Sequence, residues 1–296
     1  MNLLTSYITK VNLRKIKIEG GRKFFMTMKF YEALDVQDSF NACLRALILV
    51  RYGSLRDFER KFNLGRNTVS NLFNHSDGSV SLFSVLRFLR LLDLIDNDVT
   101  IPSVVAKIRE AFDERPRSEM HKALDCIQDE SFFIKEIKPS SRVKFTDVII
   151  LCDVLGWDLF AGFKTDEVWS GSTRTFVENI KLAFQVKFHK CSRLLYYNAY
   201  GYNIRSLISL EESENTKVAV SAVYYWLEQL GLNPRQWLEK ESGSSQLSSL
   251  SLFMRFNNFK AILAAEGIDL NDIFNSWETW FAVAGVEKAG VINLCL

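Results

Sequence analysis

A short run of polar side chains in the N-terminal third of the chain has the types and spacing to read the edges of DNA bases. Arg66, Asn67, Ser70, Asn71 and Asn74 fall on one side of a helix predicted over Arg66–Asn74, while Val69 and Leu72 fall on the other. Arginine pairs bidentately with guanine, asparagine with adenine, and a serine or threonine such as Thr68 with base or phosphate. The start of such a helix also offers free backbone N–H groups to a phosphate. No acidic residue lies on this predicted helix.

Other chemistry has no comparable support. There is no glycine-rich phosphate loop, no H-E-x-x-H and no G-x-S-x-G, so an enzyme is not expected. Cys43, Cys126, Cys152, Cys191 and Cys295 are odd in number and have no C-x-x-C spacing. A disulfide framework or a zinc site is therefore not expected, and buried reduced thiols are. His75, His121 and His189 are scattered. No metal and no cofactor is predicted.

The polar run belongs to a helix-turn-helix pattern over residues 54–74, SLRDFERKFNLGRNTVSNLFN. A first helix over Leu55–Phe62 places Phe58 and Phe62 on one face, and a tight turn follows at Asn63-Leu64-Gly65. Apolar residues also recur at spacings of three and four in Cys43–Val50, Leu82–Leu94, Val148–Leu155, Ile180–Phe188 and Val218–Leu230. The chain is thus predicted to be all-α, apart from a short basic N-terminal β-hairpin. Its strands would be Val11–Ile18 and Phe24–Phe30, joined by Gly20-Gly21. No run of 18 apolar residues indicates a membrane span, and the first residues lack the pattern of a signal peptide, so a cytoplasmic protein is expected.

Charge is unevenly spread. Residues 1–94 hold 15 Lys/Arg against 8 Asp/Glu, whereas residues 95–296 hold 22 against 27. A net of +7 followed by −5 points to an anionic partner for the first part.

An internal repeat organises the rest. A constant shift of 138 carries Ser54, Phe58, Phe62, Val69 and Leu72 onto Ser192, Tyr196, Tyr200, Leu207 and Leu210. The same shift carries Val80, Leu82, Val85, Phe88, Leu89, Leu92 and Leu94 onto Val218, Val220, Val223, Trp226, Leu227, Leu230 and Leu232. A looser middle copy places Val80, Leu82, Val85, Leu86 and Leu92 on Val143, Phe145, Val148, Ile149 and Leu155. A fourth, partial copy follows at Phe253–Asp269, with Glu266-Gly267-Ile268-Asp269 matching Leu155-Gly156-Trp157-Asp158 and Leu230-Gly231-Leu232-Asn233.

Residues 39–94 resemble the lambda-repressor-like helix-turn-helix family, more loosely repeated along the chain. The resemblance implies that the second helix of the motif enters the major groove. It makes Arg66, Asn67, Ser70 and Asn71 the candidate base readers. Two positions depart from the family pattern: Glu59 stands where a small residue is usual, and Asn63 where glycine is.

The predicted organisation is a basic hairpin at 1–34 and the DNA-binding unit at 35–102. A degenerate repeat at 103–163, a third repeat at 174–240 and a partial repeat for assembly at 241–296 follow. In the middle copy Asp129, Glu130 and Glu136 oppose phosphate contact; in the third, Asn203, Arg205 and Ser209 suit it, but Glu211, Glu212 and Glu214 follow at once. The expected protein is a sequence-specific regulator of transcription that binds double-stranded DNA. A homodimer is expected, joined through the apolar residues of Phe253–Val286. The alternative is that this C-terminal surface packs within one chain. A different reading of the whole is a helical protein-interaction scaffold, or antitoxin-like adaptor, suggested by the 13% aromatic content.

Overall fold

The computed structural model describes residues 21–74, 79–116, 118, 125–127, 136–139, 141–157, 174–188, 218–243, 247 and 254–286; of residues 21–28 and 74 it describes the backbone alone. Among these the chain is helical. The elements are α1 (Gly21–Tyr52), α2 (Leu55–Lys61), α3 (Thr68–Asn74), α4 (Leu82–Leu91), α5 (Ile101–Asp113) and α6 (Phe145–Leu155). They continue with α7 (Phe176–Lys187), α8 (Val220–Gln229), α9 (Pro234–Ser242), α10 (Phe256–Ala265), a 3-10 turn (Leu270–Phe274) and α11 (Trp277–Ala284). No helix among the described residues is long and apolar enough to cross a membrane.

Helix α1 is the central element. Its five consecutive residues Ala46–Val50 are all buried, which requires neighbours on every side. Helices α2, α3, α6, α7 and α11 supply them, and the buried apolar side chains form one continuous cluster. The start of α1 takes in part of the expected hairpin. Phe24–Phe30, predicted as the second strand of a hairpin, lies within this helix, while Val11–Ile18 lies outside the described residues. Alternation of Phe24, Met26, Met28 and Phe30 is compatible with a strand. No glycine or proline interrupts the chain from Arg22 to Tyr52, however, so the helix propagates through.

The repeat is visible in the backbone. Ser81, Lys144, Ala219 and Arg255 are the extended N-cap residues of α4, α6, α8 and α10. They pair as two isolated antiparallel bridges, Ser81 with Lys144 and Ala219 with Arg255. Twelve residues after each cap stands a left-handed residue: Asp93, Gly156, Gly231 and Gly267. The N–H of the following apolar residue then closes the helix. Leu94 donates to Leu89 O at 2.9 Å, Trp157 to Cys152 O at 2.9 Å, Leu232 to Leu227 O at 2.9 Å and Ile268 to Leu263 O at 2.8 Å. This is the Schellman closure, with its apolar residue after the left-handed one. One such cassette falls in each of the four predicted helical units.

Cysteine chemistry is muted. Cys43, Cys126 and Cys152 are buried and outside any disulfide. Burial pushes the Cys43 thiol up to about 12, which leaves little thiolate near neutrality. Iodoacetamide at pH 8 is expected to spare Cys43 in the native chain and to modify it after denaturation; mass spectrometry of the alkylated peptide checks this.

Candidate nucleic-acid interface

The site is assembled from α2 outward. Ser54 caps α2 by accepting the Asp57 N–H at 3.1 Å, and Asp57 pairs with Arg60 at 3.0 Å on the exposed side. The inner side carries Phe58, fully buried. Its ring lies 5.0 Å from Tyr52, 4.9 Å from Phe62 and 6.0 Å from Phe88. Two other helices and α2's own last turn thus meet on one aromatic side chain, which fixes the position of α2 against α1 and α4.

The turn holds two left-handed asparagines, Asn63 at φ 49° and Asn67 at φ 66°. Asparagine is one of the few residues other than glycine that takes this conformation readily. Asn63 carries the same closure as the cassettes, with Leu64 donating to Glu59 O at 2.8 Å. Asn67 shortens the reading helix. It begins at Thr68 rather than at the expected Arg66, because a left-handed residue cannot join a right-handed helix. The residues before it form a turn in which Thr68 donates to Gly65 O through both its N–H, at 3.1 Å, and its hydroxyl, at 2.6 Å.

Glu59 explains the departure at its position. Its side chain is buried, and Oε1 accepts the Val69 N–H at 2.9 Å. A carboxylate placed at the first turn of α3 satisfies a donor that has no partner within the helix, and it faces the positive end of the helix dipole. Glu59 therefore ties α3 to α2. The sequence signal was a charged residue on the inward face of α2, where only a group with a partner can be tolerated.

Val69 and Leu72 are buried beneath α3. Arg66, Asn67 and Asn71 are exposed, whereas Thr68 and Ser70 are half-buried. The outer side thus presents Arg66 and Asn67 from the turn together with Ser70 and Asn71 from the helix. The Asn74 side chain and all of Asn203, Arg205 and Ser209 lie outside the described residues.

The basic residues divide into two groups. Arg45 is largely buried and its guanidinium pKa is lowered to about 10 by burial. Arg51 donates to Leu92 O and Arg90 to Val99 O, so both serve the packing of helix ends. Arg56, Arg60, Lys61, Arg66 and Arg87 are exposed on α2, α4 and the turn. Lys61 also lies over Tyr52, 5.0 Å from the ring centroid, which holds the ammonium beside the aromatic cluster.

The C-terminal segment is occupied within the chain. Phe256, Phe274, Trp277, Trp280 and Phe281 are buried. Phe176 of α7 stacks on Phe256 at 5.6 Å and meets Phe274 at 6.0 Å, and α11 packs on α1 and α7. These aromatic side chains of the segment expected to join two chains pack against the chain's own helices.

No protein-family model, curated protein or solved structure matches the chain.

Proposed function

We propose that the chain is a sequence-specific double-stranded DNA-binding protein that regulates transcription in the cytoplasm, reading the major groove with α3 and the turn before it. The observation that carries this reading is the arrangement of α3. It is a short helix anchored from below by Val69, Leu72 and the Glu59 carboxylate, with Arg66, Asn67 and Asn71 exposed. Donors that match guanine and adenine edges are thereby presented on a fixed support, with exposed arginines on α2 and α4 available for phosphate. The scaffold reading drew on the aromatic content, and Trp226, Trp277 and Trp280 lie in the chain's own core.

Arg66→Ala and Asn71→Ala are each expected to weaken binding to a selected site by about 1–3 kcal/mol, the usual worth of one base contact. Affinity for random DNA should change far less for Asn71→Ala. Titration of both variants against selected and random duplexes, at several salt concentrations, provides the check. Equal losses on both duplexes would deny base reading, and affinity indifferent to salt would favour an apolar protein interface instead.

A further inference from the structure

The two bridges are reciprocal. Leu82 N–H donates to Val143 O at 2.8 Å and Phe145 N–H donates back to Val80 O at 2.8 Å. Val220 N–H donates to Met254 O at 2.9 Å and Phe256 N–H to Val218 O at 2.8 Å. Each donor is the first residue of its helix, whose N–H has no partner inside that helix. The shift of 138 that relates the repeats carries Val80, Ser81 and Leu82 onto Val218, Ala219 and Val220. In each pair the contacting residues occupy the same place in their cassettes. That is the pattern of an isologous contact around a local two-fold axis, here made between two stretches of one chain.

Resting on the DNA reading above, we infer that one chain acts as its own pseudo-dimer and binds a single non-palindromic DNA site as a monomer. Three features carry this. The main-chain groups at the start of α4 that another copy would need for the same pairing are bonded to Val143 and Phe145. The aromatic residues of α10 and α11 are buried inside the chain. The unit joined to the reading unit by the bridge offers no equivalent reader. In the sequence of that unit, Asp129 and Glu130 stand where the reading unit has its turn and Glu136 where it has Asn71, and their carboxylates repel phosphate. The local axis thus relates the reading unit to one whose sequence lacks a reader, and the DNA has no dyad to satisfy.

The test uses the full chain. Bound sequences are selected from random duplexes, and the complex with the selected duplex is weighed by native mass spectrometry with protein in excess. The expected result is a consensus without inverted symmetry and one chain per duplex. An inverted repeat with half-sites centred about 10 base pairs apart, holding two chains, would overturn the inference while leaving the DNA reading intact. Enrichment of no sequence would overturn the DNA reading and this inference with it.

Discussion

Phe58→Ala is expected to lower the free energy of unfolding by about 3–5 kcal/mol, the range for deleting a buried aromatic side chain. The residue is fully buried, and its ring meets Tyr52, Phe62 and Phe88 within 6.0 Å. Those neighbours belong to α1, the end of α2 and α4, so the cavity would loosen three contacts at once. Denaturant unfolding followed by circular dichroism measures the loss. Phe58→Leu retains much of the volume and should cost markedly less. A loss under about 1 kcal/mol for the alanine variant would mean that α2 is not seated as described.

Glu59→Ala is expected to cost about 1.5–3 kcal/mol of stability, the worth of a hydrogen bond to a charged group. It also strands the Val69 N–H, since the 2.9 Å bond to Oε1 is removed and nothing replaces it. The expected loss of site-specific DNA binding exceeds the loss of stability in its consequences, because α3 then loses its hydrogen bond to α2. Glu59→Gln keeps an oxygen that can accept the same bond and should retain most of both properties. Amide hydrogen exchange gives a direct readout: Val69 should be protected in the native chain and in Glu59→Gln, and exchange rapidly in Glu59→Ala. Continued protection in the alanine variant would refute the tie between α2 and α3.

The core of the candidate site was legible in the residue pattern. Phe58, Val69, Leu72, Val80, Leu82, Val85, Phe88, Leu89 and Leu92 are all buried, as are Val218, Val220, Val223, Trp226, Leu227, Leu230 and Leu232 at the shift of 138. A helix buries residues three and four apart, so periodicity names its inner face directly. The closures were also legible, because a glycine, asparagine or aspartate followed by an apolar residue is a local signal. Less legible was the start of α3. Its pattern extends the helix over Asn67, because asparagine fits a helix as well as a left-handed turn, and the neighbouring Gly65–Thr68 contacts select the turn.

What the sequence by itself determined is therefore local: the all-α character of the described residues, the inner faces of the helices, their ends, and the repetition of one cassette. Each follows from interactions between residues a few positions apart, which act wherever the segment is placed. The tertiary structure decided the rest. It drew Phe24–Phe30 into α1, turned Arg51 and Arg90 toward helix-end carbonyls, and paired Ser81 with Lys144 and Ala219 with Arg255. It also buried Phe256, Trp277 and Trp280 against the chain's own helices. These outcomes depend on which distant surfaces meet, and an apolar pattern states that a face must be buried without naming what buries it.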